Sequence, residues 1–148
     1  FIIGSDENLS TYPLVDISNT LIIYASKVGM EFSPFGKNVI VAGESYVKNK
    51  KITFDPKTKK EYFEILDKLP MQSEIDPKKI IRAKKYAYHF FFRRTIVPNS
   101  IIENKITWPI FSLKDNIFEI LKKENDKPLK SICNSIINYK PFIYDDAI

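Results

Sequence analysis

The stretch "TLIIYASKVGMEFSPFGKNVIVAGES", Thr20 to Ser45, decides the fold. Its opening "TLIIYA" is a β-rich apolar run without polar alternation, the pattern of a strand covered on both faces. Ser26 then sits where a helix N-cap belongs. Val28, Met30, Phe32 and Phe35 supply the apolar contacts of a short helix that Gly36 terminates. "NVIVA", Asn38 to Ala42, repeats the buried-strand pattern. Two such strands joined by a helix make a right-handed parallel crossover the economical arrangement, so this part of the chain reads as α/β.

Working outward, Thr11 to Ile17 reads as a short helix with Pro13 in its first turn. Phe1 to Gly4 reads as the edge of a strand, as if from a longer protein. Beyond Gly43 the chain turns polar and basic, with a β-like "KITF" ending at Asp55-Pro56. Lys59 to Leu69 carries a helical apolar stripe that Pro70 stops. Pro77 opens a long helix through "KKIIRAKKYAYHFFFRRTIV", closed by Pro98. Then come a linker-like "TWPIF" and two helical stretches, Ser112 to Lys123 and Lys127 to Tyr139. The expected organisation is an α/β part, residues 1–98, and a helical C-terminal extension, 99–148, within one structural domain.

Composition agrees with a folded domain: 148 residues, 44% hydrophobic and 14% aromatic, enough to bury one ordinary core. A net charge of +5 makes anionic partners plausible without choosing among nucleotide, glycan, nucleic acid and phospholipid. One cysteine, Cys133, excludes an internal disulfide, and with one histidine it leaves no Cys/His zinc set, so no metal is expected. No apolar run approaches the roughly 20 residues of a membrane-spanning helix, and a reducing, cytoplasmic setting is the default expectation.

In an open parallel sheet, ligands bind where the carboxyl ends of the strands, their loops and the helix N-termini converge. "ASKVG" and "GESY" both fall at such ends. Backbone N–H groups near Ser26, the charge of Lys27 and the missing Cβ of Gly29 predict a phosphate subsite. Glu31, one turn on, would accept hydrogen bonds from the two hydroxyls of a ribose. Spacing alone favours a structural reading of the same residues: serine caps, glycine packs on a strand and glutamate suits the helix dipole.

The run from Tyr12 to Leu66 resembles the carboxyl-terminal half of bacterial capsule and surface polysaccharide biosynthesis proteins, a glycosyltransferase-like group of the GT-B fold. The shared pattern is Ser-x-x-Gly-x-Glu after a strand, Gly-Lys, a second buried strand, Ala-Gly-Glu with an aromatic, and Thr-x-Asp-Pro. It covers roughly residues 10 to 95. The resemblance implies a Rossmann-like parallel sheet flanked by helices that holds a nucleotide-sugar, CMP- or UDP-linked, as donor substrate and needs no further cofactor. Ser26 and Gly29 would line the donor phosphates and Glu31 the ribose. Gly43 would turn the chain over the pocket, with Glu44, Ser45 and Tyr46 above the sugar or diphosphate and Thr53 and Asp55 following. Asn38 stands where relatives often have proline, and Lys50-Lys51 where many have glycine near the Thr-x-Asp. An upstream domain would hold the acceptor glycan and the catalytic base, so the base is unknown from this chain, which alone is expected to be inactive. The electrophilic side would fall to the Ser26 helix with Lys27 or Lys48. Localisation at the inner face of the membrane, by peripheral association, is compatible with this expectation. A non-catalytic interaction module of the glycan-assembly machinery is the alternative.

Three further features invite a functional reading and receive a structural one. "KKYAYHFFFRR", Lys84 to Arg94, mixes basic and aromatic residues as single-strand nucleic-acid binders do, but on a helix it separates into a core stripe and a solvated face, and no nucleic-acid partner is expected. His89 sits among aromatics without an acid nearby in sequence, which suits a packing role better than a general base. Asp145 and Asp146 are adjacent on a terminus, where they do not preorganise a cation site.

Overall fold

The computed structural model describes residues 2–4, 6–71, 76–99, 101–103, 111–122 and 126–144. The chain forms two compact units, Phe1–Ala87 and Tyr88–Ile148. The expected division, after Pro98, lies eleven residues further on.

The first unit is built on the parallel pair read from the sequence. Helix α1 spans Thr11–Ile17 and starts at Ser10, whose hydroxyl accepts from the Tyr12 N–H at 3.4 Å. Its C-terminal end is held by a cation from a distant turn. Lys37 Nζ donates to the carbonyls of Asp16 and Ser18 at 3.0 and 2.8 Å, which satisfies oxygens that the helix itself leaves without donors.

Strands β1, Thr20–Ile23, and β2, Asn38–Val41, pair in parallel register, with Ile22 beside Ile40 and Ile23 beside Val41. Between them run helix α2, Val28–Phe32, and a 3₁₀ turn, Ser33–Phe35. Gly36 ends this connection in the left-handed region, φ 79°, which a glycine enters without Cβ strain. Phe35, expected among the apolar contacts, instead projects outward and is 75% exposed.

Strand β2 is central. On the side away from β1, Phe54 makes a one-residue parallel bridge to Ile40: the Phe54 N–H donates to Val39 O at 2.8 Å, and Phe54 O accepts from the Val41 N–H at 2.9 Å. That bridge is all that forms of the β-like "KITF". Val39, Ile40 and Val41 are fully buried, and each contributes about 2 kcal/mol of hydrophobic stabilisation. Strand β1 differs from expectation, because among the described residues it is an edge with one uncovered face.

The segment 43–55 folds back under its own control. Val47 and Ile52 are buried anchors. Asn49 and Lys51 adopt positive φ, 63° and 57°, and the Asp55 carboxylate holds this bend by accepting from the Asn49 N–H at 2.8 Å and the Thr53 hydroxyl at 2.6 Å. Helix α3, Lys59–Leu66, is capped by Thr58, which accepts from the Glu61 N–H at 3.1 Å, while Glu61 reaches back to the Lys57 N–H at 2.7 Å.

Helix α4, Pro77–Tyr88, lies along the 43–55 segment. Ala83 is fully buried, Lys79 Nζ stands 4.6 Å over the Phe54 ring, Arg82 donates to Lys51 O at 2.9 Å, and the Tyr86 hydroxyl donates to Tyr46 O. The expected helix through Val97 stops here. A wide turn, His89–Arg93, follows, closed by the Arg94 N–H on His89 O at 2.9 Å, and the Thr95 hydroxyl takes Phe90 O at 3.0 Å. Pro98 disfavours helical geometry at Val97.

Of the strand expected over Phe1 to Gly4, residues 2–4 are irregular and Ile2 is 94% exposed, since no described strand lies beside it to complete its hydrogen bonds.

The second unit contains a short antiparallel pair absent from the expectation. Strands β3, Ile101–Glu103, and β4, Phe111–Leu113, pair Ile101 with Leu113 and Glu103 with Phe111. The extension is therefore not wholly helical. The helix expected over Ser112 to Lys123 is reduced to α5, Ile117–Ile120, because Ser112 and Leu113 belong to the strand. Most of "TWPIF" lies outside the described residues. Helix α6, Lys127–Ile137, starts where expected and ends two residues short of Tyr139, which has φ 52°; buried Asp126 is its N-cap, accepting from the Leu129 N–H at 2.9 Å. The Tyr144 N–H returns to Arg93 O at 2.7 Å.

Candidate functional site

The carboxyl ends of β1 and β2 are joined directly. The Ser45 hydroxyl, in the loop after β2, donates to the Ser26 carbonyl, in the loop after β1, at 3.1 Å. Ser26 stands one residue before the helix cap, which is Lys27. Its Oγ accepts from the Val28 N–H at 3.1 Å, so it supports the first turn without being the N-cap proper. Lys27 is exposed beside it.

Gly29 is placed by packing. A Cβ there would come within 2.6 Å of Ile23 Cδ1 and 3.1 Å of Val39 Cγ1, so the bare Cα faces the sheet and lets the α2 backbone close upon it. That direction accounts for the glycine without a ligand. Two first-turn donors of α2 are already engaged: the Val28 N–H by Ser26, and the Met30 N–H by Lys27 O at 2.8 Å.

Glu31 is half-exposed and accepts from the Tyr12 hydroxyl at 3.1 Å, which ties α2 to α1. The hydrogen bond to Glu31, and then its negative charge, raise the Tyr12 pKa, because both favour the protonated phenol. Gly43 lies against the Tyr24 ring, whose atoms would stand 2.7 Å from a Cβ, and its carbonyl accepts from Lys48 Nζ at 3.1 Å. Lys48 also pairs with the exposed Glu44 carboxylate. Tyr46 is exposed, with its carbonyl held by Tyr86. Thr53 and Asp55 shape the bend through their mutual hydrogen bond and the Asn49 N–H.

The structure thus unites Ser26 with Ser45, Gly43 with Glu44 through Lys48, and Thr53 with Asp55. It gives Glu31 a partner in α1 instead of in the second loop. Sequence reasoning missed Tyr12, Tyr24 and Tyr86 as partners of these residues. Their separations run from 19 to 40 residues, and no local motif marks them. Lys79 has its pKa lowered by burial against the Phe54 ring, with the charges of Asp76 and Asp55 opposing that shift.

Elsewhere, the second unit has a cavity of about 390 Å³, lined by Phe92, Thr95, Asn99, Lys127 and Tyr144 among others, which no sequence motif signalled. His89 is half-buried in the wide turn, and Cys133 is half-buried in α6. Asp145 and Asp146 lie outside the described residues. Among the described residues no three His, Cys, Asp or Glu side chains gather as a metal site, and no helix is long and apolar enough to cross a membrane. No known protein family, curated protein or solved structure matches the chain.

Proposed function

We propose that the chain is the donor-binding portion of a glycosyltransferase that assembles a capsular or surface polysaccharide, acting on a nucleotide-sugar at the cytoplasmic face of the membrane. The observation that carries this reading is the Ser45 to Ser26 hydrogen bond, which sets two strand-end loops of a parallel pair side by side. Ligands of open α/β sheets bind at that end. Lys27 would face the diphosphate and Glu31 the ribose. Transfer breaks the bond between the anomeric carbon and the phosphate oxygen, forms one to an acceptor hydroxyl and passes that proton to a base. Lys27 would offset the charge growing on the leaving nucleotide. The base and the acceptor belong to a domain outside this chain.

A non-catalytic interaction module of the same machinery is the second reading. It is favoured by the internal engagement of Glu31, Glu44 and Lys48, which leaves these polar groups with partners before any ligand arrives.

Calorimetric titration with CMP- and UDP-linked sugars separates the two. The donor-site reading expects saturable binding that Lys27→Ala and Glu31→Ala each weaken, about tenfold for a lost charge-assisted hydrogen bond. Binding by neither nucleotide class, with the chain folded, contradicts it and favours the module.

A further inference from the structure

We propose that the outward face of α4 is a docking surface for an anionic lipid bilayer. Within Pro77–Tyr88 stand Lys78, Lys79, Arg82, Lys84 and Lys85 and not one acidic residue. At 3.6 residues per turn, Lys79, Ala83 and Tyr86 share the inner side. They face the 43–55 segment, through the Phe54 ring, the buried Ala83 and the Tyr46 carbonyl. Lys78, Ile81, Lys84 and Lys85 are consequently turned outward, Arg82 stands at the rim with its guanidinium on Lys51 O, and all five are exposed.

Two features make this face more than a solvated stripe. Ile81 is 53% exposed in the middle of the arc, with cations on either flank. An aliphatic side chain set among lysines matches a bilayer interface, where the charges meet lipid phosphates and the apolar group enters the acyl boundary. A nucleic-acid backbone offers that side chain nothing. The arc also continues onto the neighbouring loop. Arg82 is fixed on Lys51 O at 2.9 Å and Lys50 Nζ lies 5.8 Å over the Tyr86 ring, while Asp55 holds the loop in its left-handed bend. Arg82 and Lys50 are thus braced, with less ordering entropy to lose on contact. Asp76 marks its N-terminal edge, where its carboxylate accepts from the Lys78 N–H at 2.9 Å.

This inference rests on charge and exposure in α4 and is independent of the donor site, so either fails without the other. Flotation of the chain with phosphatidylcholine vesicles, with and without phosphatidylglycerol, tests it. Binding is expected only to the anionic vesicles, to fall with salt, and to weaken about fivefold per cation removed, so about 25-fold in Lys84→Gln/Lys85→Gln. Lys84→Arg/Lys85→Arg should bind as the wild type, and Ile81→Ser should weaken binding while leaving its salt dependence intact. Equal binding to neutral vesicles, no binding to anionic ones, or insensitivity to the glutamine pair would overturn the proposal. So would association with a single-stranded oligonucleotide that exceeds vesicle binding and ignores Ile81→Ser.

Discussion

Ile22 and Ile40 are the same residue type, side by side in register on one face of the same sheet, yet Ile40 is fully buried and Ile22 is 50% exposed. Strand sequence does not explain this, since "TLII" and "NVIV" are equally apolar. The neighbours do. Strand β2 has β1 on one side and the Phe54 bridge on the other, whereas among the described residues β1 is an edge. Burial in a small parallel sheet is conferred by what lies alongside, and the 43–55 segment confers it here.

The largest expected effect sharpens that contrast directly. Ile40→Ala should destabilise the chain by about 3 kcal/mol, through lost transfer energy and an unfilled cavity, and Ile22→Ala by under ~1 kcal/mol because its side chain is already half in water. Denaturant unfolding of the two variants measures the gap; equal losses would mean that the edge is covered after all. On the other face, Gly29→Val should cost about 2 kcal/mol by forcing Ile23 and Val39 apart. A neutral outcome would show α2 standing off the sheet.

Asp55→Ala attacks the segment that flanks β2. Loss of its two hydrogen bonds at a left-handed bend should cost about 1.5 kcal/mol and raise amide exchange at Asn49. The smallest effect concerns α1. The Tyr12 pKa is raised in the folded chain, so the stability from its bond to Glu31 is complete below the ordinary tyrosine value near 10 and is lost as pH rises through the higher folded value. In Glu31→Gln the Tyr12 titration, followed by ultraviolet absorbance, should move back toward the ordinary value.

Local chemistry made much of this fold legible. Helix α1 is announced by Pro13, the two strands by their unbroken apolar runs, and the end of the α2 connection by Gly36. What local chemistry does not carry is partnership across distance. The single-residue bridge at Phe54 depends on a bend that Asp55 stabilises, and the exposure of Ile22 depends on the lack of a described neighbour. Strand β4 takes Ser112 and Leu113 away from a helical stripe because β3 is there to pair with them. At the candidate site, the adjacency of Ser26 and Ser45 follows from their positions at consecutive strand ends. The direction of Gly29 and the Tyr12 partner of Glu31 do not, since the first needs the helix-to-sheet approach and the second needs α1 in place.

The central claim is that the two strand-end loops form one nucleotide-sugar site. Amide chemical-shift mapping during titration with a CMP- or UDP-linked sugar tests it most directly. The account predicts saturable shifts at residues 26–31 and 43–46 together, with one shared affinity; shifts confined to the second unit, or to one loop without the other, would contradict it.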